Sequence, residues 1–169
     1  MAESLFVDKS LSLDEQYENL LKQLKLLLVK EDNLLSNLSN FVASIKQTFS
    51  KVSWVGLYFL DGNNLYLGPF QGKIACTNIA FGEGVCGNSA KDKKIIIVPD
   101  ISKFEGHIAC DSGTKSEIVV PVFNEEKVFA VLDIDSLEYN SFDKTDAKYL
   151  ENMCNFLSTF ISNNTNKIL

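Results

Sequence analysis

The hydrophobic period of this chain changes from helical to strand-like at about residue 51, and that change limits the folds open to it. Before it, Tyr17, Leu20, Leu21, Leu24, Leu27 and Leu28 recur at three- and four-residue steps, the spacing of one apolar helical face. Leu13-Asp14 supplies a start, Lys30-Glu31-Asp32 a turn and cap, and Leu34, Leu35, Leu38, Phe41, Val42, Ile45 and Phe49 a second stripe. From Lys51 the pattern becomes strand-like. Candidate strands are Val52–Leu60, its hairpin partner Leu65–Leu67 across the turn Asp61-Gly62-Asn63-Asn64, then Ile95–Val98, Glu117–Phe123 and Val128–Asp135. The polar turn between Asn124 and Lys127 makes the last two an antiparallel pair. A closing helix starts near Asp143, with Phe142 as staple, Asp143 as N-cap, Asp146 completing a variant capping box, and Leu150, Cys154, Leu157 and Ile161 on one face. Antiparallel strands between terminal helices predict an α+β domain with helices packed to one side of a sheet. The expected organisation is a tail over 1–12 and one domain over 13–169: helices in 13–50, sheet and active-site loops in 51–136, and the last helix in 142–163. Residues 68–90 read as a long loop, a candidate lid.

Charge removes several function classes. All sixteen basic residues are lysine, against 22 acidic ones, for a net charge of −6. With no basic face and no guanidinium fork, nucleic-acid binding is not expected. A carboxylate or phosphate clamp built on arginine is excluded. The N-terminus has no basic region followed by an apolar one, and the longest early apolar run, Leu26–Val29, is far short of a membrane span. A cytoplasmic location without membrane attachment is the expectation.

In that compartment four cysteines are better suited to chemistry or metal binding than to structural disulfides. Cys154 sits on the apolar stripe of the last helix and reads as a packing residue. Cys76, Cys86 and Cys110 cluster within 35 residues. With His107 they would offer zinc four ligands, but there is no C-x2-C knuckle and His107 stands only three residues before Cys110, so no metal is expected. Cys86 lies in Gly82-Glu-Gly-Val-Cys-Gly87, a glycine-rich turn opening a short helix, where unpaired amides favour a thiolate. Cys110 lies in a loop, Gly106-His-Ile-Ala-Cys-Asp-Ser-Gly113. Glu117 opens an apolar strand, and Asp133 and Asp135, two apart, share one face of another. Such acids either hold a proton near neutral pH or cap loop amides. Trp54 and Tyr58 share a face of the first strand, as core or as a ligand wall. Together these residues make thiol redox chemistry credible without naming a substrate.

Five segments in register carry a resemblance: Gly68-Pro-Phe-Gln-Gly72 leading to Ala75-Cys76, Gly84-Val-Cys-Gly87, His107-Ile-Ala-Cys-Asp111, Ser116-Glu-Ile-Val-Val-Pro121 and Leu132-Asp-Ile-Asp-Ser136. From about Ser53 to Leu150 the chain closely resembles the free methionine-(R)-sulfoxide reductases, enzymes with a GAF fold. The resemblance implies a six-stranded antiparallel sheet flanked by N- and C-terminal helices and a homodimer formed through those helices. It implies reduction of free methionine (R)-sulfoxide with no bound cofactor, thioredoxin serving as external reductant in a repair and antioxidant role. Carried over by position, Cys110 would attack and become a sulfenic acid, with Cys76 as resolving partner and Cys86 as the alternative resolver, attacker or relay. Glu117, Asp133 and Asp135 would bind the sulfoxide oxygen through a shared proton and neutralise the substrate ammonium, and Trp54 and Tyr58 would wall the S-methyl group. The competing readings are a GAF domain that only binds a ligand and a thiol redox sensor.

Overall fold

A computed structural model of the chain describes residues 4–106 and 112–161. The first helix, α1 (Leu13–Leu27), opens on Ser12, whose hydroxyl accepts from the Glu15 amide while the Glu15 carboxylate accepts from the Ser12 amide. This reciprocal box satisfies donors that no helical carbonyl can reach. Ahead of it, the Gln23 side chain exchanges two hydrogen bonds with the Phe6 backbone, which lays the preceding segment along α1. Asn33 caps α2 (Leu34–Thr48) by accepting from the Leu35 amide.

Six strands follow: β1 (Trp54–Asp61), β2 (Asn64–Gln71), β3 (Asn78–Ala80), β4 (Ile96–Val98), β5 (Ser116–Asn124) and β6 (Lys127–Ser136). They form one sheet in the order β3-β2-β1-β6-β5-β4, and every neighbouring pair is antiparallel. The β1–β2 and β5–β6 hairpins close at the turns read from the sequence, with Asp61 opposite Asn64 and Asn124 opposite Lys127. Between β3 and β4 lies α3 (Gly84–Asp92), and the chain closes with α4 (Lys144–Ile161). The expected capping box of α4 forms: Asp143 accepts from the Asp146 amide, and Asp146 accepts from the Asp143 amide.

Strand alternation divides the buried residues into two cores. Val55 and Leu57 of β1, Ile118, Val120 and Val122 of β5, and Ala130, Leu132 and Ile134 of β6 face α1, α2 and α4. Trp54, Tyr58, Val119 and Val131 face the other way and pack with Val85, Cys86 and Ala90 of α3. Two expectations need correction here. Helices cover both faces of the sheet, because α3 occupies the face opposite the terminal helices. The stretch 68–90 is no long loop: it holds the end of β2, all of β3 and most of α3, and its hydrogen bonds to β1 and within α3 leave only short connections.

The terminal helices are locked to the sheet by a polar contact under the larger core. Asp146, 1% exposed at its side chain, pairs with Lys51 at 2.6 Å, accepts from the Tyr17 hydroxyl at 2.7 Å and caps its own helix. Lys51 also donates to the Ser141 carbonyl, and Tyr17 stacks on Tyr149 at 5.1 Å. One carboxylate thus ties α1, the segment before β1 and the start of α4. Removing one partner of a buried pair leaves the rest unpaired, so Asp146→Ala should cost about 3 kcal/mol. Urea unfolding checks this; a loss below about 1 kcal/mol would reduce the contact to a surface-type ion pair.

Candidate functional site

The smaller core is where the expected site residues meet. Cross-strand register sets Trp54 opposite Asp135 and Gly56 opposite Asp133 on β1–β6, and Glu117 opposite Asp135 on β5–β6. Trp54, Tyr58, Glu117, Asp133 and Asp135 therefore project from one face. Glu117 and Asp133 are buried, and Asp135, nearer the strand end, is half-buried.

The aromatic wall is larger than the sequence suggested. Trp54 stacks between Tyr58, with ring centroids 6.0 Å apart, and Phe70 of β2, at 5.7 Å. The indole N–H donates to the Lys73 carbonyl at 3.0 Å, and the Tyr58 hydroxyl donates to the Cys76 carbonyl at 3.0 Å. Gly56 lies directly beneath the indole: a Cβ there would run into the Trp54 ring and the Phe70 side chain. Phe70 was missed as a wall residue, although its signal lay in the hairpin register that puts it opposite Gly56.

Cys86 enters from above the sheet in the first turn of α3. The helix comes this close because Gly87 has no side chain, where a Cβ would collide with the Ala80 carbonyl and the Gly82 amide. Cys86 is 3% exposed and its thiol is hydrogen-bonded to Asp133. Its sulfur and one oxygen each from Glu117 and Asp133 lie within 4.8 Å of one another. Burial, reinforced by the charges of Asp133 and Glu117, pushes the Cys86 thiol well above its ordinary pKa. The helix N-terminus argues for a thiolate and loses. A helix end supplies about 0.3–1 kcal/mol, whereas full burial moves a pKa by up to about 3–5 units.

The carboxyl pair is electrostatically asymmetric. Burial, then the charges of Asp133 and Asp135, lifts Glu117 well above the ordinary carboxylate range. Burial also raises Asp133, to about 6, while hydrogen bonds from Cys86 and Glu117 hold it down. Burial thus biases the pair as a whole toward retaining a proton rather than carrying two charges. Asp133 Oδ1 is buried without a hydrogen-bond partner among the described residues. A buried ionised oxygen in that state needs a donor, which the Glu117 proton or a ligand can supply.

The remaining thiols separate clearly. Cys76, half-buried between β2 and β3, is engaged in a disulfide, whereas Cys86 and Cys154 are free and buried. Cys154 packs in the larger core, as its stripe suggested, and burial raises its pKa. Cys110 and His107 lie outside the described residues.

Comparison with known proteins agrees with this architecture. The family model described as GAF domain matches residues 30–162. The chain is 50% identical over 158 residues to GAF domain-containing protein A of Dictyostelium discoideum, covering 93% of this chain and 99% of that one. It is 41% identical over 165 residues to the free methionine-R-sulfoxide reductase of Saccharomyces cerevisiae, covering 93% and 92%. The structure of the Neisseria meningitidis free methionine-R-sulfoxide reductase in complex with its substrate superposes with a TM-score of 0.90 at 36% identity, covering 96% and 98%. The sheet order and the domain match define a GAF-fold protein. Within that fold, the chain belongs to the free methionine-R-sulfoxide reductase family of oxidoreductases. No helix among the described residues is long and apolar enough to cross a membrane.

The raised Asp133 value has a consequence for stability. A carboxyl whose pKa is higher folded than unfolded contributes its full stability below the unfolded value, near 3.8, and loses it as pH rises through about 6. Ionised Asp133 at neutral pH therefore opposes folding, by an amount on the order of 3 kcal/mol for a shift of about two units. Asp133→Asn should unfold at higher denaturant than the parent at pH 7.5, and the advantage should vanish by pH 4. An unchanged or opposite pH trend in paired urea titrations would show that Asp133 is not a desolvated charge.

Proposed function

We propose that this chain reduces free methionine (R)-sulfoxide to methionine by cysteine redox chemistry. The carrying observation is the buried Glu117–Asp133 pair, in which burial favours retaining a proton beside a carboxylate, set under the Trp54–Tyr58–Phe70 wall. A sulfoxide needs both features: an acid to protonate its oxygen, which makes the sulfur electrophilic, and an anion for the substrate ammonium. Glu117 is the acid, Asp133 and Asp135 supply the charge, and the aromatic wall seats the S-methyl group and sets the epimer by shape.

Cys110 attacks the sulfoxide sulfur, methionine leaves, and Cys110 retains the oxygen as a sulfenic acid. The Cys76 thiol then displaces that oxygen as water and forms a disulfide, which a thioredoxin dithiol opens by exchange. The disulfide engagement of Cys76, against a Cys86 that is free, buried and held as a neutral thiol, supports Cys76 as the resolver. Cys86 then serves as a hydrogen-bond donor to Asp133. The turnover needs no bound cofactor, and its need for a dithiol suits the reducing cytoplasm. Pairing of two copies through the terminal helices is supported by the apolar side chains of Leu26, Val29 and Leu35, exposed around the α1–α2 connection.

NADPH oxidation coupled through thioredoxin and its reductase tests the substrate. Free methionine (R)-sulfoxide should turn over, while the (S) epimer and N-acetylated or peptide-bound forms should not; equal rates on all, or none on the first, sink the proposal. Methionine release without reductant tests the thiols. Cys110→Ser should release none, and Cys76→Ser should release one equivalent and then stall. A burst that survives in Cys110→Ser but disappears in Cys86→Ser would move the nucleophile to Cys86.

A further inference from the structure

Cys86, Glu117 and Asp133 have a second chemical identity besides acid, anion and thiol. Their donor atoms, one sulfur and two oxygens, lie within 4.8 Å of one another. The residues come from three elements, α3, β5 and β6, so the cluster is a product of the fold and not of a sequence motif. They are 3%, 6% and 8% exposed, and Asp133 Oδ1 is buried without a partner among the described residues. A thiol and two carboxyls, with an unmet acceptor among them, is a donor set that a cation completes.

We infer that Cys86, Glu117 and Asp133 form a three-donor site for a thiophilic divalent cation of the zinc type. Zinc bonds of about 2.3 Å to sulfur and 2.0–2.2 Å to oxygen need only short inward movements from the present spacing. Three protein donors leave a fourth tetrahedral position for water, as in open zinc sites. Magnesium and calcium are disfavoured, because they take six or more oxygen ligands and discriminate against sulfur. On binding, one Zn–S and two Zn–O bonds form, the Cys86 and Glu117 protons leave to water, and no oxidation state changes. This set differs from the Cys76, Cys86, Cys110 and His107 quartet weighed in the sequence, from which a disulfide withdraws Cys76. Resting on the substrate reading above, the cation would occupy the sulfoxide's place and act as a competitive inhibitor, raising KM without lowering kcat.

Cobalt(II) titrated into the full chain with Cys76 in its disulfide gives a direct readout, since a thiolate–cobalt bond adds a near-ultraviolet charge-transfer band. One equivalent of cobalt should produce the band, and zinc should abolish it. Cys86→Ser should lose it, Asp133→Asn should weaken binding at least tenfold, and Cys154→Ser should leave it unchanged. Circular dichroism on each variant separates loss of ligation from loss of fold, and Glu117→Gln replaces any variant that unfolds, with the same expected weakening. Absence of a band, or a band that persists in Cys86→Ser, overturns the site. A band with the expected ligand dependence that methionine (R)-sulfoxide does not displace supports the metal site and counts against the substrate reading instead.

Discussion

The central strands β1, β6 and β5 are buried on both faces, so their mutual register decides the chemistry of each face. Side chains alternate with a period of two, and a slip of one residue would exchange the faces wholesale. Asp133 and Glu117 would then enter the apolar core that faces α1, α2 and α4. Leu132 and Ile134 would move to the site. The penalty of burying the two acids in the wrong core, added to the exposed apolar surface, enforces the native pairing. The site thus acts as a register mark for the fold that builds it.

Concentrating acid on the site face has an energetic consequence that the other face must offset. An ionised, desolvated Asp133 opposes folding, and an acceptor without a donor adds to the cost. Full burial of one leucine or phenylalanine is worth about 1.5–3 kcal/mol. Leu24, Leu34, Leu38 and Phe41, each at 0% exposure, together contribute about 6–12 kcal/mol and so outweigh that cost. The division is spatial: the larger apolar core lies between the sheet and the terminal helices, and the buried carboxyls and the Cys86 thiol lie beneath α3. The single carboxylate of Asp146 anchors the stabilising layer, where its three partners satisfy it.

Much of this was readable from residue order, and the exceptions have a common cause. The amphipathic stripes of α1, α2 and α4, both hairpin turns and the Asp143–Asp146 capping box depend on neighbours in sequence, and all were legible. So was the shared face of Asp133 and Asp135, which follows from strand parity alone. The strand β3, Asn78–Ala80, was not: it is three residues long at a sheet edge and starts on an exposed asparagine, too short for alternation to register. The placement of α3 opposite the other helices depends on Gly87 approaching Ala80, a contact between elements. The protonation of Cys86 was misjudged for the same reason. Its helix position is local, but the burial and carboxylates that outweigh it arrive from β5 and β6.

The thiol of Cys86 also bears on how such a site survives its surroundings. Peroxide reacts with thiolates, and the reaction carries a sulfur toward acids that no dithiol can restore. A sulfur kept protonated by burial, its hydrogen directed to Asp133, is slow to enter that ladder. Held in this way, the sulfur of Cys86 is a durable hydrogen-bond donor beside the carboxyls, whereas Cys76, in a disulfide, is in a form that thiol–disulfide exchange reverses.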